Sequence, residues 1–163
     1  MSKRLFVCAL VLVCLLSGCA NQDEYPAGMR VECQDLILTL PGDFSDLSAE
    51  SVAQGADFMY GRNTLVLVGL AEEKAGLKAM TLAEYTDYVI RGNKLSCSAV
   101  PAGDGYLLTY EKTVDNTAYT YTIATFEGKT NFWILQFYGP TADLQENQPE
   151  IDIILEGVQP KAG

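Results

Sequence analysis

"GYLLTYEKTVDNTAYTYTIATFEGKTNFWILQFYG", Gly105–Gly139, is the stretch on which the fold turns. It divides into three runs, Gly105–Lys112, Thr117–Phe126 and Asn131–Gly139, rich in tyrosine, threonine and other residues that suit a pleated strand. The connections are short. Thr113–Asn116 carries Asp115-Asn116 and Glu127–Thr130 carries Gly128, so the runs predict an antiparallel three-stranded meander. In the last run Trp133, Leu135 and Phe137 point one way, while Phe132, Ile134 and Tyr138 point the other. A strand apolar on both faces belongs in the middle of a sheet that is covered on both sides.

What covers it is sought on either side in the chain. Downstream, Pro149 suits the first turn of a helix, and Ile151, Ile154, Leu155 and Val158 form an apolar stripe at helical spacing that Gly157 closes. Upstream, Thr81-Leu82-Ala83-Glu84 is a capping-box sequence, and Leu82, Tyr85 and Val89 continue it as an amphipathic helix over Leu82–Arg91, ended by Gly92. Tyr85 and Tyr88 are read there as packing residues. Before this helix, "LILTL" (Leu36–Leu40) is a strand stopped by Pro41-Gly42-Asp43, with Leu36, Leu38 and Leu40 on one face. Asp57–Tyr60 and Thr64–Leu70 are two more strands, joined as a hairpin through Gly61-Arg62-Asn63.

The order is strand, hairpin, helix, three-stranded meander, helix: an α+β class in which helices cover an antiparallel sheet. With that order, with "LTLPGDF" (Leu38–Phe44) after the first long strand and with the terminal helix behind the aromatic meander, the chain resembles the family that joins the PsbP subunit of photosystem II with the Mog nuclear-import factors. This fold is also seen in short bacterial lipoproteins. The resemblance spans roughly Met29–Val158 and implies a non-catalytic binding or assembly role. It transfers no functional residue by position.

The N-terminus gives an address. Lys3 and Arg4 precede the uncharged run Leu5–Leu16, followed by Ser17, Gly18 and Cys19, the pattern of a signal peptide. The run is shorter than the roughly 20 residues that cross a bilayer. Leu16-Ser17-Gly18-Cys19 resembles the lipobox of bacterial lipoproteins, which implies a diacylglyceryl group on the Cys19 sulfur and removal of residues 1–18. An ordinary secretory cleavage and an uncleaved anchor helix are the alternatives. The lipobox reading gives a signal peptide over 1–18, a lipid-anchored tether over 19–28 ("ANQDEYPAG" after the cysteine) and a single domain over 29–163, held to the extracytoplasmic face of the cell membrane.

Processing removes Lys3 and Arg4 from the 11 basic residues and none of the 21 acidic ones, moving the net charge from −10 to −12. A surface this acidic argues against nucleic acid as a partner and against electrostatic docking on anionic lipid. It also discards Cys8 and Cys14, so Cys33 and Cys97 are left as a disulfide candidate, with two buried thiols as the alternative.

Chemistry is scarce. The chain has no histidine, so no Ser-His or Cys-His nucleophile pair exists, and there is no metal-binding cysteine spacing and no phosphate-cradling glycine motif. No cofactor is expected. Glu72-Glu73, or Asp43 with Asp46, are the carboxylates considered for calcium or glycosidic chemistry, and solvated loops are the simpler reading. Tyr106, Tyr110, Tyr119, Tyr121 and Trp133 are either a sugar- or peptide-binding platform or cross-strand packing, the regular alternation favouring packing. The sequence therefore reads as a membrane-anchored, non-enzymatic module that binds an envelope protein, the alternative being a small-solute or ion-binding lipoprotein.

Overall fold

The residues around Trp133 form the central strand of the molecule. The computed structural model describes residues 28–47, 49 and 55–160. Among these, the strands are β1 (Met29–Cys33), β2 (Leu36–Leu40), β3 (Ser45–Asp46), β4 (Phe58–Arg62), β5 (Leu65–Glu73), β6 (Val100–Ala102), β7 (Gly105–Val114), β8 (Thr117–Glu127), β9 (Asn131–Pro140) and β10 (Gln159–Pro160). Helix α1 (Leu82–Gly92) lies between β5 and β6, and α2 (Thr141–Glu156) between β9 and β10. Seven strands form an antiparallel sheet in the order β3-β4-β5-β9-β8-β7-β6, and a small sheet has the order β1-β2-β10. The α+β class and the meander are as the sequence predicts.

Turn chemistry sets the register. Val114 pairs with Thr117, leaving Asp115 (φ 48°) and Asn116 (φ 65°) as a two-residue loop with both residues left-handed, the geometry that matches the twist of the strands. Asn63 (φ 51°) takes the same conformation between the paired residues Arg62 and Leu65. The expected loop Gly61-Arg62-Asn63 is therefore shorter: Gly61 and Arg62 belong to β4, because Asn63 already supplies the positive φ. That places Arg62 at the end of the strand, where its Nη1 reaches Asp43 Oδ2 (3.2 Å) and its Nη2 reaches Asn147 Oδ1 (3.3 Å) and the buried Glu150 carboxylate of α2.

The two faces of β9 bury into separate clusters. On one face Trp133, Leu135 and Phe137 pack with Leu65 and Leu67 of β5, Leu36, Leu38 and Leu40 of β2, and Leu144, Ile151 and Ile154 of α2. On the other, Phe132 packs with Tyr85 and Val89 of α1, with Ile134 at the margin. Each fully buried side chain of this size contributes about 1.5–3 kcal/mol. In the large cluster Phe58 lies over Gly69, its partner across the β4–β5 ladder, where a Cβ would overlap the ring, and then meets Trp133 with ring centroids 6.0 Å apart.

Helix α1 begins as its sequence requires. The Thr81 hydroxyl accepts from the Glu84 N–H, and the Glu84 carboxylate accepts from the Thr81 N–H at 2.8 Å. Helix α2 corrects the expectation of a start near Pro149: it begins at Thr141, with Pro149 in its interior. Its first half carries a single buried apolar residue, Leu144, and is fixed by that contact and by the Thr120 hydroxyl donating to the Thr141 hydroxyl (3.0 Å), neither of which local periodicity reveals.

Candidate functional site

Cys19 and the expected signal peptide lie outside the described residues, as does nearly all of the tether. Cys33 and Cys97 are brought to different places and are free thiols. Cys33 packs against the large cluster on the α2 face, whereas Cys97 lines a shallow pocket with Ala83, Thr86 and Ile90 of α1 on the other face, so the disulfide is not formed. Burial pushes both thiols up. The considered carboxylates are not brought together either. Glu72 and Glu73 are adjacent residues of β5 and point to opposite faces, and Asp43 is engaged by Arg62. Among the described residues no group of acidic residues and cysteines is arranged to hold a metal ion.

The tyrosines divide between packing and surface. Trp133 is fully buried on the α2 face, where its indole N–H donates to Asp35 (2.7 Å), and so cannot belong to a platform. On the α1 face, register aligns Tyr110 of β7, Tyr121 of β8 and Tyr138 of β9. Their rings stack in a row, 4.9 Å apart at 5° and then 5.5 Å apart at 20°. All of them are half-buried, as is Tyr119. Burial, with Tyr121 and Cys97 nearby, pushes the Tyr110 phenol up, so its hydroxyl stays protonated and able to donate. Tyr138 was legible as sharing the Phe132 face, but the row it completes depends on a register across three strands.

The row ends at an open edge. Strand β6 pairs only with Gly105–Leu107, and among the described residues nothing pairs with β7 beyond Leu107 on that side. The residues flanking a two-residue hairpin loop exchange both backbone hydrogen bonds, and such pairs alternate along the ladder. Since Val114 and Thr117 flank such a loop, Thr109, Glu111 and Thr113 turn their N–H and C=O groups outward, away from β8. All of these residues are exposed. A long edge of this kind is an acceptor for another strand.

A cleft of about 500 Å³ opens on the opposite face, between the C-terminal turns of α2 and the β6–β7 hairpin. Leu107, Ala124 and Phe126 of the sheet, with Leu155 and Val158, supply its apolar surface, and Asp104, Asp152 and Glu156 supply its charge.

No family model matches the sequence, and no curated protein matches it. Solved structures do resemble it in fold. One is a protein of Bacteroides thetaiotaomicron, with a TM-score of 0.57 and 13% identity over 85% of this chain and 49% of that one. LpqN, involved in cell envelope biogenesis of Mycobacterium tuberculosis, has a TM-score of 0.53 and 12% identity over 86% of this chain and 94% of its own. The cyanobacterial PsbP of Synechocystis sp. PCC 6803 has a TM-score of 0.50 and 8% identity over 89% and 98%. The chain thus spans about half of the Bacteroides protein and nearly all of the other two. At these identities the likeness is one of fold, and the fold is the PsbP-like α+β arrangement.

Proposed function

We propose that this chain is a non-catalytic binding module, held at the cell envelope by lipid on Cys19, that recognises a protein partner by adding one of its strands to the free edge of β7. The observation that carries the reading is the stacked row Tyr110–Tyr121–Tyr138 running out to an edge whose backbone groups pair with no further strand among the described residues. Main-chain hydrogen bonds from Thr109, Glu111 and Thr113 provide affinity in this mode, and neighbouring side chains provide selectivity. The lipobox and the fold shared with LpqN, involved in cell envelope biogenesis, support an envelope location. Confinement to one membrane layer raises effective concentration, so a modest interface suffices. Among the described residues no helix is long and apolar enough to cross a membrane, which is compatible with the lipid being the attachment.

The test is cross-linking in intact cells from a photoreactive residue at position 111. A specific envelope protein is captured by the lipidated chain and much less of it by a secreted form lacking Cys19. Thr109→Pro and Thr113→Pro remove outward N–H groups while sparing the pairing with β8, and abolish capture without unfolding the domain. Capture that survives both proline substitutions rules out strand addition. Equal capture without Cys19 rules out the tether.

A further inference from the structure

We propose that the cleft between α2 and the β6–β7 hairpin is a second binding site, for a basic, apolar, extended segment of a partner protein. A lysine or arginine of that segment meets Asp104, Asp152 and Glu156, and its apolar neighbours lie on Leu107, Phe126 and Leu155. This goes beyond strand addition at β7 and uses different residues, so each proposal can fail alone.

The charge arrangement is the reason. The C-terminal end of a helix is negative and is normally complemented by basic residues, as Arg91 does in the last turn of α1. The last turn of α2 has no basic residue. Its last two turns carry Asp152 and Glu156 instead, four residues apart on one helix face, a like-charge pair that disfavours the helix. Asp104 faces them across the cleft, and among the described residues no lysine or arginine lines it. Gln148 donates to Asp152 at 2.8 Å, but among the described residues no cation forms an ion pair with any of these carboxylates. The fold thus gathers unfavourable charge around a cavity, the pattern expected where a site trades stability for a ligand.

The lining also selects the cation. The acidic groups are too dispersed to enclose a metal ion, and the apolar surface between them suits the hydrocarbon stem of a lysine or arginine, whose head can also meet the Phe126 or Tyr106 ring. An extended segment is favoured because β6, exposed along its length, leads through Ala102 and Gly103 directly into the cleft. A second copy of this strongly acidic chain is the wrong occupant by charge.

The experiment uses the full lipidated protein in nonionic detergent and a fluorescein-labelled peptide, acetyl-Leu-Lys-Leu-Arg-Leu-amide, followed by anisotropy against empty micelles. We expect binding that weakens with salt, absence of binding by the peptide with glutamate at both basic positions, and a loss of roughly tenfold in affinity in the Asp152→Asn/Glu156→Gln double variant. Peptide-dependent hydrogen-exchange protection should fall on residues 102–107 and 152–158. Because these variants remove misplaced charge, they should melt at or slightly above the wild-type temperature, which separates lost binding from lost folding. Equal affinity in the double variant, or equal binding of the acidic peptide, overturns the proposal. Protection confined to residues 109–113 moves the peptide to the β7 edge and overturns it too. Displacement by equimolar spermidine identifies a small polycation site and overturns the peptide reading.

Discussion

The carboxylate of Asp35 joins the two sheets. It sits in the β1–β2 turn, and its Oδ2 accepts from the Thr130 N–H (2.7 Å), the Thr130 hydroxyl (3.1 Å) and the Asn131 N–H (3.1 Å). Its Oδ1 accepts from Asn131 Nδ2 (3.0 Å) and from the Trp133 indole (2.7 Å). Gly128 lies so close that a Cβ there would strike the carboxylate, so the approach needs glycine. Burial pushes the Asp35 carboxyl up, but the hydrogen bonds from Asn131, Thr130 and Trp133 outweigh it and hold it well below the usual carboxylate range. Asp35→Ala leaves buried donors of Asn131 and Trp133 without an acceptor and should destabilise the domain by about 3 kcal/mol or more, read by urea denaturation. The stability that ionised Asp35 contributes is complete above its unfolded value near about 3.9 and is lost as pH falls from there toward the lower folded value. Denaturation curves should therefore lose stability below about pH 4, and Asp35→Asn should lessen that loss; an unchanged acid limb would show that another carboxylate causes it.

At the level of elements, the two helices differ in what holds them. Helix α1 is locally specified, and Thr81→Ala should cost about 1 kcal/mol by removing an acceptor from the capping box. Helix α2 is specified from outside, and Pro149 in its interior withholds an N–H from the helical ladder. Pro149→Ala should stabilise the domain by about 1 kcal/mol in thermal or urea unfolding; a loss would mean that the proline packs where alanine cannot. The same contrast explains what could be read in advance. The meander and α1 were legible because alternation, Asp115-Asn116 and Thr81/Glu84 state their geometry in adjacent residues. The first half of α2 was not, because Asp143–Gln148 offers only Leu144 to a core and Pro149 reads as a start. Strands β3 and β10 are too short to have a period. Tyr110 and Tyr121 were candidates on sequence alone, but Trp133 was wrongly grouped with them because alternation had not been applied across strands. The open edge depends on how soon β6 ends. The cleft joins Asp104 to residues some fifty positions away, Asp152 and Glu156, through contacts that no local pattern encodes.

Over the whole molecule, the seven-stranded sheet separates one face under α2 and the small sheet from another under α1. Cys33 and Cys97 fall on opposite sides of that division. Alkylation of the denatured protein without reductant should therefore modify both, and burial should keep both slow to react in the native state near neutral pH; failure of either to label after denaturation would reveal a bond the structure lacks. One feature of the small sheet reaches into the life of the chain before it is folded. Strand β2 is flanked by β1, its immediate predecessor, and by β10, at Gln159–Pro160. Strand β5 waits for β9, with Val66 paired to Tyr138. The leucines of β2 share their cluster with residues of β5, β9 and α2, all of them made later. A chain emerging N-terminus first thus acquires hydrophobic strands long before it acquires their partners, and closing such distant contacts is slow. Nascent chains halted after Gly139 should remain open to protease, and only completed ones should resist. Late closure makes α2 and β10 the latch of the fold, since β2 lacks its second neighbour until β10 has been made.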